Sequence, residues 1–371
     1  MRLETSREHV AELARLRDPV GAVEELLWNA LDADGGCVVV TLERNDLGGV
    51  DRVRIQDDGH GMSAEECEEY FRPIGSSWKK RAKGTPVRNR ALHGKNGRGR
   101  VRAFALGSVV RWTSVSDARQ GRRQLVIEAD RHSMDEFDIG EPEPADEATG
   151  TLFEAFGGDE LDVLADERAR SSLTAAFATY LEKYSDVRIE YDGRDLDPAA
   201  EQLHAGDYLL DAPSSGRNSE PAKLRVVEWR RPVPRALFLC DAEGMSRAHL
   251  KPGIQAPGFE FTAHLSWSGF DDIDSEELAF TDWAPDGPLT EMLAAAREHL
   301  RTHFRARVDE RRREQVAEWQ RDGIYPYSAD PTDERERAER ETFDAVATTV
   351  FRHLPKSRRA PPSSGSSTGT R

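Results

Sequence analysis

Apolar residues recur at helical spacing at Val23, Leu26, Leu27, Ala30 and Leu31. This marks the buried stripe of an amphipathic helix and leaves Glu25, Asn29 and Asp32 on a second stripe nearly opposite. Gly35 and Gly36 end the pattern, and the β-branched run CVVVTLE, Cys37 to Glu43, predicts a strand. Asn45 to Gly49 predicts a turn, after which VDRVRIQ from Val50 returns as a second strand. Ser63 and Glu66 fit a capping box opening a short helix. A loop rich in Gly, Lys and Arg runs from Gly75 to Gly99, and RVRAFALG begins another helix. VVRWTSV from Val109 and RQLVIEA from Arg123 predict a hairpin, and GTLFEAFGG from Gly150 a further strand. This order predicts an α/β fold, a two-layer sandwich with a largely antiparallel or mixed sheet.

A second, smaller α+β unit is expected from residue 159. It holds a helix over Arg168 to Tyr184, the hairpin VRIEYDGRDL with its Asp192-Gly193 turn, strands near Leu224, Ala236 and Phe259, and a long helix from Leu289 to Gln320. Expected domains are therefore 1–158, 159–325, and 326–371, the last a short helical segment with a disordered Ser/Gly/Pro-rich tail.

With 371 residues, 37% of them hydrophobic, the chain can build cores of this kind. No apolar run is long enough to span a membrane, and the opening MRLETSREHV is charged, so a cytoplasmic protein with no membrane partner is expected. Cys37, Cys67 and Cys240 form no CxxC pair, which suggests neither a zinc site nor a disulfide framework. The net charge of −16 disfavours indiscriminate nucleic-acid binding, but it is unevenly spread. Between Tyr70 and Ser116 there is no acidic residue, while cations from Arg72 to Arg111 crowd the window. That is where an anion should sit, as a nucleotide phosphate or a nucleic-acid backbone.

Three segments carry candidate chemistry. Asn29 is an odd choice for a mid-helix position that Glu, Lys or Gln would fill better, although an amide on a solvated face is the plain alternative. In DDGHGM, Asp57 ends a strand and can accept from an exocyclic amine such as that of adenine. Gly59 and Gly61 would let backbone approach a flat base, and an ordinary Asp-Gly turn is the competing reading. In HGKNGRGRVRAFALG, Gly94, Gly97 and Gly99 precede a helix, so their N–H groups can form an anion nest; a flexible basic loop is the competing reading. No GxxxxGK[ST] Walker loop occurs.

Taken in order, ExxxN on a helix, DxGxG after a strand, GxxGxGR opening a helix and a Gly-Thr strand resemble the GHKL superfamily of ATPases. That superfamily takes in gyrase B, MutL, histidine kinases, heat-shock-90 chaperones and microrchidia proteins. ELLWNALDA from Glu25 is similar to the family's N box, and IGSSWK at Ile74 to Lys79 to its lid entry in MutL and microrchidia members. The resemblance covers Met1 to Phe156 and implies a Bergerat-type ATP-binding fold with ATP and Mg²⁺ as ligands. It implies that Asn29 holds the metal and that Glu25 orients or deprotonates the attacking water. Asp57, backed by Thr151 and flanked by Gly59, Gly61 and Met62, would read adenine. Lys79 and the loop of Gly94, Lys95, Asn96, Gly97, Arg98, Gly99 and Arg100 would wrap the phosphates, with Asp32 structural or ribose-side. Lys251, in HLKPGI of the transducer-like unit, is a candidate for a γ-phosphate contact, with an ordinary exposed Lys as its alternative.

His60 and Arg98 depart from the family pattern, which leaves part of the basic window open to another ligand. The resemblance implies slow Mg-dependent ATP hydrolysis that drives lid closure and homodimerisation, a conformational switch of MutL, microrchidia or chaperone type acting on DNA or a protein client. The alternatives are a histidine-kinase-like phosphotransferase, for which His9 lies too close to the N box, and an ATP-binding pseudoenzyme, against which Glu25 and Asn29 both stand.

Overall fold

The computed structural model describes residues 18–71, 84–93, 99–119, 121–134, 136–214, 220–271, 273, 278, 287–327 and 331–353. They fall into two compact units, Met1–Gly253 with Pro257–Ala296, and Ile254–Ala256 with Arg297–Arg371.

The first helix, α1 (Pro19–Asp32), starts earlier than its apolar stripe because Asp18 and Pro19 form a strong start signal. The Asp18 carboxylate accepts from Gly21 N at 2.9 Å, and a Cβ on Gly21 would lie 2.2 Å from Asp18 Oδ2. The stripe Val23, Leu26, Leu27, Ala30 and Leu31 is buried as the spacing predicts. The opposite stripe is graded: Glu25 is half-buried, Asn29 exposed and Asp32 buried.

Strands β1 (Cys37–Arg44), β2 (Val50–Asp57), β3 (Val109–Ala118), β4 (Gly121–Asp130), β5 (Asp138–Ile139), β6 (Glu143–Pro144), β7 (Gly150–Phe156), β8 (Arg188–Tyr191) and β9 (Arg194–Asp195) make one nine-stranded mixed sheet. Its order is β5-β4-β3-β7-β2-β1-β8-β9, with β6 on β4. Strands β8 and β9 come from beyond residue 158, and β8 pairs with β1 in parallel, Val38 opposite Ile189. One face of the sheet, with Val38, Val40, Ile55, Val110, Trp112, Ile127 and Phe153, shares a core with α1 and α4 (Glu167–Lys183). On the other face, charges alternate across the strands: Arg54 pairs with Glu154 at 3.3 Å and Arg111 with Glu128 at 2.7 Å.

The short helix α2 (Ala64–Phe71) carries the predicted box, Ser63 N donating to Glu66 Oε2 at 2.9 Å and Glu66 N to Ser63 Oγ at 3.2 Å. The helix expected in RVRAFALG is a single turn, α3 (Gly99–Arg102), followed by a 3₁₀ turn over Ala103–Ala105. Val101, Ala103, Phe104 and Leu106 are all buried, more sides than one α-helical stripe offers. Gly107 then passes so close to β7 that a Cβ would meet Phe156 O at 2.6 Å.

After the short α5 (Pro198–Glu201), a second sheet of β10 (Gln202–Leu210), β11 (Ala222–Trp229), β12 (Ala236–Cys240), β13 (Ser246–Leu250) and β14 (Phe261–Ser266) runs in the order β10-β11-β14-β12-β13. Met245, ahead of β13, joins the core of the first sheet. The long helix α6 (Pro288–Arg321) carries the chain from the first unit into the second. Within the second unit, Tyr325 and Tyr327 pack on Phe343 of α7 (Glu334–His353). The expected tail from Pro355 lies outside the described residues.

Candidate functional site

The loop after β2 rests on the end of α1. His60 N donates to Ala33 O at 2.9 Å, and a Cβ on Gly59 would lie 2.5 Å from the same oxygen. Gly61 has φ +69, and its Cβ would overlap Val115 O of β3 at 2.0 Å, so only glycine lets the two backbones meet there.

Asp57 is held by its backbone surroundings. Its Oδ1 accepts from Gly59 N at 2.9 Å and from Thr151 N at 3.1 Å. Both bonds fall on one oxygen, which leaves Oδ2 to an incoming donor. Burial pushes the Asp57 carboxyl up to about 6, against the two N–H groups that favour its charged form. The neighbouring Asp58 turns the other way, accepting from Gly36 N at 2.6 Å and Cys37 N at 2.8 Å, and ties the loop to the start of β1.

Thr151 lies beside Asp57 at the start of β7. Its hydroxyl is 2.9 Å from Ser114 Oγ of β3, which also accepts from Met62 N at 2.8 Å. Ser114 was not legible as a site residue. Strand alternation marks it as inward, but its two partners come from segments distant in sequence.

On α1, Glu25 and Asn29 lie one turn apart, and Glu24 sits beside Glu25. Burial pushes the Glu24 carboxyl up to about 7, with the Trp28 indole, which makes no hydrogen bond of normal geometry, and Arg102 favouring its charged form. Trp28, also unflagged by the sequence pattern, is buried and stacks on His93 at 4.1 Å between ring centroids. Asp32 accepts from His93 N at 2.9 Å, so it acts on the chain leading to Gly94.

Gly99 and Arg100 open α3. Lys79, Gly94, Lys95, Asn96, Gly97 and Arg98 lie outside the described residues. Lys251 follows β13 and is exposed. In the basic window, several cations are engaged within the fold. Arg90 is buried and donates to Gly35 O at 2.7 Å and Asp186 at 2.9 Å; Arg88 also pairs with Asp186.

The arrangement offers a fixed carboxylate acceptor with a hydroxyl beside it, and a helix presenting a carboxylate and an amide one turn apart. Residues 18–151 match the family model described as histidine kinase-, DNA gyrase B-, and HSP90-like ATPase. Residues 18–151 are therefore similar to the ATP-binding domain of the GHKL superfamily.

Among curated proteins it is similar to the DNA mismatch repair protein MutL of Halobacterium salinarum, 26% identical over 226 residues, which are 61% of this chain and 31% of that protein. The MutL of Myxococcus xanthus is 50% identical over 49 residues, 13% of this chain and 7% of the relative. That of Methanoculleus marisnigri is 36% identical over 59 residues, 16% and 10%. The chain thus spans under a third of the length of the relatives it matches. No described helix is long and apolar enough to cross a membrane.

Proposed function

We propose that the protein is an ATP-gated conformational switch that hydrolyses ATP slowly with Mg²⁺ and closes into a homodimer. The observation that carries this reading is the seating of the Asp57–Thr151 pair, through His60 N on Ala33 O, against the end of the helix that bears Glu25 and Asn29. Base recognition and phosphate chemistry then share one rigid element.

Asp57 Oδ2 accepts the exocyclic amine of adenine, and Thr151 supports that contact. Gly59, Gly61 and Met62 supply backbone against the base. Asn29 fits a hard cation, because an exposed amide oxygen is a suitable ligand for an ion that takes few groups from protein. Mg²⁺, when bound there with the phosphates, supplies charge neutralisation. Glu25, half-buried one turn earlier, orients the attacking water and takes its proton. Glu24, pushed up to about 7, limits negative charge next to Glu25 near neutral pH. Lys79 and residues Gly94 to Arg100 wrap the phosphates.

The relatives are mismatch-repair proteins, which makes DNA the first effector to try; a protein client is the other. The test is steady-state ATP hydrolysis by the wild type and Glu25→Ala, with Mg²⁺ and with or without DNA, after ATP binding is established for both. The expected result is slow turnover in the wild type and binding without turnover in the variant. Equal turnover in both would refute the role of Glu25. Binding without turnover in either makes the chain a nucleotide sensor.

A further inference from the structure

We infer that Ser114 is a positioning residue that sets the hydrogen-bond polarity of Thr151, and with it the preference for adenine over other purines. The inference rests on the reading that Asp57 and Thr151 face the base.

Ser114 is fully buried on β3. A hydroxyl has one proton and two lone pairs. Met62 N–H, at 2.8 Å, occupies one lone pair of Ser114 Oγ. Two acceptors are in reach of the Ser114 proton: Thr151 Oγ1 at 2.9 Å and Gly150 O at 3.4 Å. Hydroxyl bonds to oxygen fall at about 2.5–3.0 Å, so the proton goes to Thr151. Thr151 Oγ1 is then filled as an acceptor on that side, and its own proton is left to donate. The source of this order is the tight turn at Gly61, whose backbone lies against Val115 O and delivers Met62 N to Ser114.

The site therefore presents an acceptor, Asp57, beside a donor, Thr151. Adenine offers the matching edge, an amine donor beside the N1 acceptor. Guanine and hypoxanthine offer the reverse, a carbonyl oxygen beside an N1–H. Asp57 supplies half of this discrimination; Ser114, acting through Thr151, supplies the other half. A site built to pair polar groups rejects a ligand that leaves them unpaired.

The experiment measures calorimetric binding of ATP, 1-deaza-ATP (N1 replaced by C–H) and purine riboside triphosphate (no amine) to the wild type, Ser114→Ala, Ser114→Cys and Thr151→Val. The wild type is expected to prefer ATP over 1-deaza-ATP by about five- to tenfold, the worth of one hydrogen bond. In Thr151→Val that ratio falls to near one, and in Ser114→Ala it falls several-fold toward the same value. Dependence on the amine is unchanged in all three variants, since Asp57 supplies it. Ser114→Cys keeps the volume with a weaker donor and serves where the alanine variant does not fold; it should give an intermediate ratio.

An unchanged N1 ratio in a Ser114 variant that binds ATP overturns the inference. So does equal loss of N1 and amine dependence, which a merely structural role would give. Wild-type ATP binding that is insensitive to Asp57→Asn defeats the underlying reading of the site instead, and is recognised by that control.

Discussion

Replacing Asp57 by Asn separates binding from folding at one position. The amide oxygen can keep the bonds from Gly59 N and Thr151 N, 2.9 and 3.1 Å long in the wild type. The amide nitrogen then faces the base amine, donor against donor. Losing a charge-assisted bond and leaving a donor unpaired costs about 3 kcal/mol, roughly a hundredfold in Kd. The effect on the empty protein has the opposite sign. Asp57 sits at about 6 when folded against a model value of 3.8, so burial makes its ionised form unfavourable. Between these values the folded state binds more protons than the unfolded state, and stability falls as pH rises through the window. By pH 8 that penalty is complete, about 3 kcal/mol at most, and the neutral Asn escapes it.

Asp57→Asn is therefore expected to melt higher than the wild type at pH 8 while binding ATP far more weakly. In the wild type, binding requires the ionised acceptor, so Kd should be level above pH 7 and about tenfold weaker at pH 5. Titration of the ATP phosphates is common to both proteins and cancels in the comparison. Calorimetry across pH and thermal melts of the two proteins are the assays. Tight binding by the Asn variant, or a wild-type Kd unchanged between pH 7 and 5, would refute the assignment of Asp57 as the amine acceptor.

Gly61→Ala places a Cβ against Val115 O at a positive φ and should cost about 2–4 kcal/mol in chemical denaturation; a variant as stable as the wild type would mean the loop is not pressed on β3. Asp34→Ala leaves Val87 N, Arg88 N and the Thr85 hydroxyl without their shared acceptor. It should cost about 3 kcal/mol and open residues 84–93 to protease, whereas unchanged protection would contradict the clasp. His264 is fully buried, stacked on Phe238, and held neutral down to about 3. The unfolded chain takes up that proton first, so stability should fall with decreasing pH below about 6.5, by at most about 1.4 kcal/mol per unit. His264→Phe should flatten that slope in acid denaturation, and an unchanged slope would assign it elsewhere.

Most of the first sheet was legible because its signals are local. The stripe from Val23, the run from Cys37, the Ser63–Glu66 box and the Asp192-Gly193 turn, with φ +49 and +78, each act within a few residues. Partner choice is not local. Nothing in VRIEY announces that it pairs with β1 in parallel after the crossover through α4. RVRAFALG carries an apolar helix signal, yet burial on several sides and the close pass of Gly107 over β7 limit it to one turn. Asp57 was a candidate only through the order of motifs around it, since DxGxG alone also reads as an ordinary Asp-Gly turn. Ser114 was no candidate, since a serine at an inward strand position reads only as a small buried side chain.

The segment ahead of Gly94 is clasped to the end of α1 and its surroundings. Val87 N and Arg88 N close on Asp34 at 2.8 and 3.1 Å, Arg90 binds Gly35 O, and Ala91 N donates to Tyr184 Oη at 3.0 Å. His93 completes the clasp with its N–H on Asp32 and its ring on Trp28. Four of these anchors are backbone donors, so the attachment depends on the path of the chain more than on exposed charge. Arg88 and Arg90, counted in sequence among cations awaiting an anion, are spent on Asp186. The basic window is thus partly a structural strap on the end of α1. Through Asp32, His93 is fixed to α1 about one helical turn from Asn29.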